Sequence, residues 1–195
     1  MPASHDRLPD KELLEQLSAG EVAALETLLA RYWSPLTMFV ARMTGSNEAA
    51  EDAVQEAFCR LWERRRSWRR EGSVSGLLFR LARNIAISAH RHVRAEDRAA
   101  SAAGESLSTY HELPEMPDEE LRAALEHAIA LLPPRRREVF LLRVVHDLSY
   151  KEIASIMGTS TQTVANQLSH ALGSLRQALV ATAERRRPSS PTLRA

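Results

Sequence analysis

The sequence is short of lysine, cysteine and glycine, and each shortage closes a class of explanation. Only Lys11 and Lys151 are lysines among 26 cationic side chains, so the other 24 are arginine. Cys59 is the single cysteine in 195 residues, which excludes a disulfide framework or a cysteine zinc cluster. Glycine is scarce, at seven residues, and forms no phosphate-cradling loop. No stretch reaches the ~20 apolar residues of a membrane span, and the N-terminus has no basic-then-apolar leader. The expectation is a soluble, cytoplasmic chain with no membrane insertion. A formal net charge of +1 names no partner.

Apolar residues make up 44% of the chain, enough to build real cores. The length suits one ordinary domain or two small ones. Arginine favours forked hydrogen bonds to phosphates and guanine edges, although a GC-rich genome would enrich it too.

The periodicity is helical throughout, with no convincing strand. "PDKELLEQLSAG" reads as a helix with Asp10 as N-cap and Gly20 as its stop. "EVAALETLLARYWSPLTMFVARMTG" reads as a longer helix, bent or broken near Pro35. Ser46 or Asn47 then caps "EAAEDAVQEAFCRLWERRR", a polar break "SWRREGS" follows, and "VSGLLFRLARNIAISAHRHVR" is a fourth helix. From Ala99 to Asp118 the chain is rich in Ala, Ser, Gly and Pro and has no Lys or Arg, the composition of a tether. Helical segments resume at "PDEELRAALEHAIALL", break at Pro133 and Pro134, and continue through "RRREVFLLRVVHD". The expected fold is all-α, with two small helical domains over 8–96 and 118–183. A flexible acidic linker spans 97–117 and a disordered tail 184–195.

The stretch "LSYKEIASIMGTSTQTVANQLSHAL" shows a short helix, a glycine turn and a longer helix. Ser149 with Glu152 forms a capping box. Ile153, Ala154 and Met157 make an apolar face, and Gly158 sits at the turn. Val164, Leu168 and Leu172 are expected to face inward on the second helix, which Ser160 or Thr161 caps. This is the helix-turn-helix pattern, whose second helix enters the major groove by its N-terminal part. The outward residues there are Thr161, Gln162, Thr163, Asn166, Gln167 and His170, all able to hydrogen-bond base edges or phosphates. A plain helical hairpin in a bundle would show the same turn.

Charge is segregated in the first half. Between Ser46 and Glu63 there are five acids (Glu48, Glu51, Asp52, Glu56, Glu63) against Arg60 alone. Ala50, Ala53, Val54, Ala57, Phe58 and Leu61 form the buried stripe of that helix. Asp52, Gln55, Glu56, Cys59 and Glu63 fall on another face. Between Arg64 and Arg98 there are ten arginines and three acids. Arg64, Arg65, Arg66, Arg69 and Arg70 surround Trp68, and Arg80, Arg83, Asn84, Arg91 and Arg94 recur along the next helix. Leu78, Leu81, Ala82, Ile85 and Ala89 make that helix's buried stripe. Cations beside an aromatic ring suit single-stranded nucleic acid. Each charged face alone is also ordinary solvated surface; the asymmetry points to one basic and one anionic partner.

Taken in order, "LLARYWSPLTMFVARMTGSNEAAEDAVQEAFCRLWE", "LLFRLARNIAISAHR" and "LPPRRREVFLLRVVHDLSYKEIASIMGTSTQTVANQLSHALGSLR" resemble the extracytoplasmic-function (ECF, group IV) sigma factors of bacterial RNA polymerase. The resemblance covers residues 10–180. It implies a promoter-recognition factor with no catalytic residues, metal or cofactor. Domain 8–96 would be sigma region 2 and domain 118–183 sigma region 4. Core polymerase would be bound through the β′ clamp helices by Asp52, Gln55, Glu56, Leu61 and Trp62, with the β flap as a further partner. The break at 67–73 resembles the loop that captures a flipped base of the −10 element, with Trp68, Arg69, Arg70, Arg80, Arg83, Asn84 and Arg91 along the strand. The −35 element would be read as duplex by Thr161, Gln162, Thr163, Asn166, Gln167 and His170. Promoter DNA would melt on binding energy without ATP hydrolysis. The acidic linker would lie along the polymerase, and an anti-sigma factor is a further possible partner.

This chain departs from that family's pattern in its second recognition helix, which is frequently basic, of the form "TVKSRLHRAR". Here it reads "TVANQLSHAL", so fewer phosphate contacts predict a shallower salt dependence. An autonomous helix-turn-helix regulator with an N-terminal sensing or dimerisation domain would explain the C-terminal half equally well. It leaves the acidic helix, the Arg–Trp segment and the tether without a role. An enzyme is disfavoured, because Cys59 lies among acids that oppose thiolate formation and the histidines lack metal-ligand spacing.

Overall fold

The computed structural model describes residues 8–68, 73–97 and 119–185, with side chains described as far as residue 89 in the second segment and 182 in the third. The linker 97–117 beyond Asp97, the tail beyond Arg185, and Arg69 and Arg70 lie outside the described residues. Four helices make the N-terminal unit: α1 (Asp10–Ala19), α2 (Val22–Thr44), α3 (Asn47–Glu63) and α4 (Val74–Asp97). The C-terminal unit holds α5 (Glu119–Ala130), α6 (Pro134–Phe140), a π-helical turn (Leu141–Val145), α7 (Tyr150–Met157) and α8 (Thr161–Arg185). The described residues are all-helical, as the periodicity predicts.

Local chemistry accounts for most boundaries. Gly45 takes φ +82 at the end of α2, a left-handed conformation that costs glycine little. Ser46 then accepts the Ala49 N–H on its Oγ at 3.2 Å and opens α3. Two expectations fail. Asp10 is the first residue of α1 rather than its cap, and Pro9 precedes it with no capping side chain. The Asp10 carboxylate instead accepts from Arg31 and Tyr32 on α2, pinning α1 to that helix. Burial, and then the bond to Asp10, raise the Tyr32 pKa. Pro35 does not break α2, which runs unbroken past it. An internal proline costs about 3 kcal/mol. Around it Leu28, Leu36, Phe39 and Val40 are fully buried, each worth ~1.5–3 kcal/mol, so packing wins.

The apolar stripe of α3 is buried as expected from Ala50 through Leu61. On α4, Leu78 and Ala82 are buried and Leu81 and Ile85 pack against the core, but Ala89 is exposed and Ala86 takes the inward place. On α8, Val164 and Leu168 are buried whereas Leu172 is 45% exposed; Ala171 and Leu175 carry the core instead. At about 100° per residue, position 172 lies about 80° away from Val164, outside the stripe.

In the C-terminal unit α8 packs on α5, α6 and α7. Arg137 holds the α5–α6 corner by donating to the carbonyls of Ala130 and Leu132. The π-helical turn was not legible in the periodicity. There His146 N–H reaches back to the Leu141 carbonyl at 3.1 Å, one residue wider than an α-turn.

The two units are packed together. α4 meets α7 and α2 meets α6, and one apolar cluster is continuous through both. At the seam His146 lies against the rings of Phe79 and Phe39, with centroids 4.7 and 6.0 Å away. Arg137 also donates across the seam to the Arg42 carbonyl at 3.3 Å.

Candidate nucleic-acid interface

The acidic face of α3 is built by helical geometry alone. With Ala53, Val54, Ala57 and Phe58 buried, Asp52, Gln55, Glu56 and Cys59 stand exposed on the other side. Glu56 pairs with Arg60 at 2.7 Å, both about half exposed, an i,i+4 pair worth only ~0.3–0.5 kcal/mol. Such a contact leaves the carboxylate available to a stronger partner. Trp62 is half-buried, with the Arg65 guanidinium 4.3 Å above its ring centroid. Leu61 is fully buried. It offers a partner no surface, and its part in the expected polymerase site is reduced to supporting the helix from inside.

The arginine-bearing face is less open than its sequence suggests. After α3 a turn runs over 64–67, with Ser67 N–H on the Arg64 carbonyl at 2.8 Å. Trp68 is half-buried, and its indole N–H donates to the Leu61 carbonyl at 3.0 Å, which fixes the ring beside the end of α3. Arg80 and Asn84 are exposed. Arg83 is not: its Nε donates to Glu138 of α6 at 2.7 Å, the two side chains being 14% and 8% exposed. Removing one partner of so buried a pair costs about 3–5 kcal/mol. The Arg91 side chain and the neighbouring His90 and His92 fall outside the described side chains, as do Arg69 and Arg70.

A cavity of about 590 Å³ opens beside this face, lined by Trp68, Leu77 and Arg80 from one unit and Lys151, Glu152 and Ser155 from the other. Sequence reasoning missed the participation of α7. Ser73 donates its hydroxyl to Glu152 across the seam. Burial alone would raise the Glu152 pKa; bonds from the Ser149 hydroxyl, the Ser73 hydroxyl and the Ser149 N–H outweigh it and hold the carboxylate below its ordinary range.

The helix-turn-helix segment forms as its residues predict. Ser149 Oγ accepts the Glu152 N–H at 3.3 Å, and Glu152 accepts the Ser149 N–H at 2.8 Å. Gly158 closes α7 at φ +62. Ser160 Oγ accepts the Thr163 N–H at 3.1 Å and opens α8. Thr161, Gln162, Thr163, Asn166 and His170 are exposed and Gln167 is half-buried, all along the first turns of α8. Gln162 donates to Asn166 at 3.1 Å, an internal bond that orders both amides on one surface. No cation stands among these six residues.

Among the described residues no group of His, Cys, Asp or Glu is arranged to hold a metal, and no helix is long and apolar enough to cross a membrane.

Residues 28–98 match the family model described as Sigma-70 region 2, and residues 122–175 match Sigma-70, region 4. The ECF RNA polymerase sigma-E factor of Escherichia coli is 30% identical over 175 residues, spanning 84% of this chain and 90% of that protein. Among solved structures, the sigma factor RpoE from Bartonella quintana, in co-crystals with the anti-sigma factor NepR, matches with a TM-score of 0.70 at 21% identity. That match covers 80% of this chain and 96% of the other. CnrH, in complex with the cytosolic domain of CnrY, matches with a TM-score of 0.65 at 21% identity, over 88% and 97% of the two chains. At such identity these two likenesses speak to the fold alone.

Proposed function

The chain belongs to the extracytoplasmic-function family of RNA polymerase sigma factors, and from that premise we propose that it binds core RNA polymerase, reads the −35 element as duplex and opens the −10 element. The carboxylates of Asp52 and Glu56, with Gln55 and the rim of Trp62, meet the β′ clamp helices. The first turns of α8 enter the major groove, where Gln162 and Asn166 match the paired donor and acceptor of adenine. The β flap takes the region around it. Arg80, Asn84 and, once freed, Arg83 follow the backbone of the melted strand beside Trp68, together with Arg69, Arg70 and Arg91. Flipping a base costs a few kcal/mol of stacking, which binding to this face offsets without a nucleotide cofactor. An anti-sigma factor would compete for these same surfaces. The linker 97–117 joins the two readers along the polymerase.

One observation carries the reading: a single chain presents an exposed acidic helix face, an arginine-bearing face beside it, and a cation-free, hydrogen-bonding helix end on a separate unit. A free-standing regulator needs only the last of these. The test is transcription in vitro with purified core polymerase and fragmented genomic DNA. Defined start sites that appear only when this protein is added, preceded by a shared pair of motifs, are the expected result. A protein that shifts duplex promoter fragments equally well without polymerase, and directs no start sites with it, is a regulator of another kind.

A further inference from the structure

The end of α8 that the proposed reading sends into the major groove carries no cationic Lys or Arg. None occurs from Thr161 to Leu175, and Arg176 is the first in the helix. The polar side chains there are not equivalent. Ser160 Oγ accepts the Thr163 N–H at 3.1 Å and lies 2.9 Å from Thr163 Oγ1, so these two hydroxyls engage each other at the cap. Gln167 is half-buried. Gln162, Asn166 and His170 follow at i, i+4 and i+8 in one exposed row, and Asn166 lies about 160° round the helix from the buried Val164. Within that row Gln162 Nε2 donates to Asn166 Oδ1 at 3.1 Å.

That bond decides what Asn166 can show to a base. An amide oxygen has two lone pairs and an amide nitrogen two N–H groups. With one lone pair held by Gln162, the Asn166 amide is set with an acceptor beside a donor. It cannot turn over alone without losing the bond. In the major groove adenine offers the matching pair, a donor at N6 beside an acceptor at N7, whereas guanine offers two acceptors, O6 and N7. Against guanine the held oxygen would face another oxygen. The forked guanine contact is made by Arg or Lys, and this end of α8 has neither.

We infer that the −35 element of this chain is read at an adenine, with Asn166 as the reading residue and Gln162 as the residue that positions it. Guanine is refused at that position because the held amide cannot swing its N–H groups onto both acceptors. The inference rests on the proposed reading of α8 as the duplex reader, and it separates the two amides: one touches the base, the other sets which base is accepted.

The closing experiment is transcription by core polymerase and the full chain from a promoter library randomised across the −35 element. Wild-type protein should select adenine at one position, with guanine there weaker by about tenfold or more, the scale of one bidentate contact. Asn166→Ala should make that position indifferent. Gln162→Met keeps the length of the side chain and removes the bond. Adenine should remain the preferred base, and its margin over guanine should shrink by at least about twofold, the scale of an i,i+4 amide pair. A chemical probe separates base contact from support of the helix. 7-Deazaadenine at the selected position lacks the N7 acceptor and still pairs with thymine; it should weaken transcription by wild-type protein and leave that by Asn166→Ala unchanged. Selection of guanine at the position that depends on Asn166, indifference of wild type to 7-deazaadenine, or a Gln162→Met profile identical to wild type overturns the inference. Transcripts whose −35 preference does not depend on Asn166 overturn it alone, whereas a library that yields no transcript with wild-type protein overturns the promoter reading and the inference with it.

Discussion

The two units keep their working groups in opposite places. On α8 the polar side chains of Thr161, Gln162, Thr163, Asn166 and His170 stand exposed. On α4, Arg83 is turned into the seam and engaged by Glu138. The proposed duplex reader is therefore presented ready-made, with neutral donors and acceptors. The proposed strand-binding face depends on charge; Arg80 and Asn84 stand exposed on it, whereas Arg83 is held in the seam. Specificity in the first costs little electrostatic affinity, whereas the second concentrates electrostatics where a protein must not grip nucleic acid indiscriminately.

The most disruptive way to break this contrast is Phe39→Ala. Phe39 is fully buried and edges onto Phe79 at 5.3 Å between centroids, so it supports both the N-terminal core and the seam. Loss of about 3–5 kcal/mol is expected, read as a lower denaturant midpoint. A loss under about 1 kcal/mol means that the core closes over the gap.

Acid tests the seam more gently. Burial, helped by the nearby positive charge of Arg42, lowers the His146 pKa from 6.5 to about 4. The folded protein thus holds the neutral ring, and as pH falls the unfolded chain takes up the proton first. This group's contribution is complete above about pH 6.5, is lost between there and about pH 4, and changes no further below that. A separation of 2.5 units corresponds to up to about 3 kcal/mol. Denaturant midpoints compared across that window should converge less steeply for His146→Phe than for wild type; equal slopes refute the assignment to His146.

Next in size is the acidic face. Asp52→Arg with Gln55→Ala should lower core-polymerase affinity by at least ~30-fold, the scale of one interface hot spot. Circular dichroism should not change, because both side chains are exposed. Retained affinity moves the dock elsewhere on the unit. The smallest expected effect is in the duplex reader. Asn166→Ala should relax discrimination at one promoter position by ~1–3 kcal/mol while leaving the salt dependence of DNA binding as it was, since no charge is lost. Affinity lowered equally for every base at that position, with discrimination intact, identifies the position as a backbone contact.

Much of the site was legible residue by residue. The capping box at Ser149 and Glu152, the left-handed turn at Gly158 and the exposure of α8's first turns all follow from local rules, and all are present. So is the split between the buried stripe and the acidic face of α3. Local rules failed where packing overrode them. Pro35 sits inside an unbroken helix because its neighbours are buried, and Asp10 left a capping role for Arg31 and Tyr32. Periodicity put Leu61 in the buried stripe, where it lies, and only the family resemblance put it in a docking surface; Arg83 was placed on an open cationic face, and neither route says what lies above a side chain. The π-helical turn at Leu141–Val145 leaves no periodic mark, yet it sets where His146 falls.

The sequence by itself determined the helices, their capped ends, the segregation of acid from arginine and the family, because each depends on residues a few positions apart. Only the tertiary structure decided that Glu138 would meet Arg83 across 55 positions and that Glu152 would meet Ser73 across 79. Those contacts depend on how two separate apolar faces dock, and complementarity of shape between distant segments is not encoded in the period of either one.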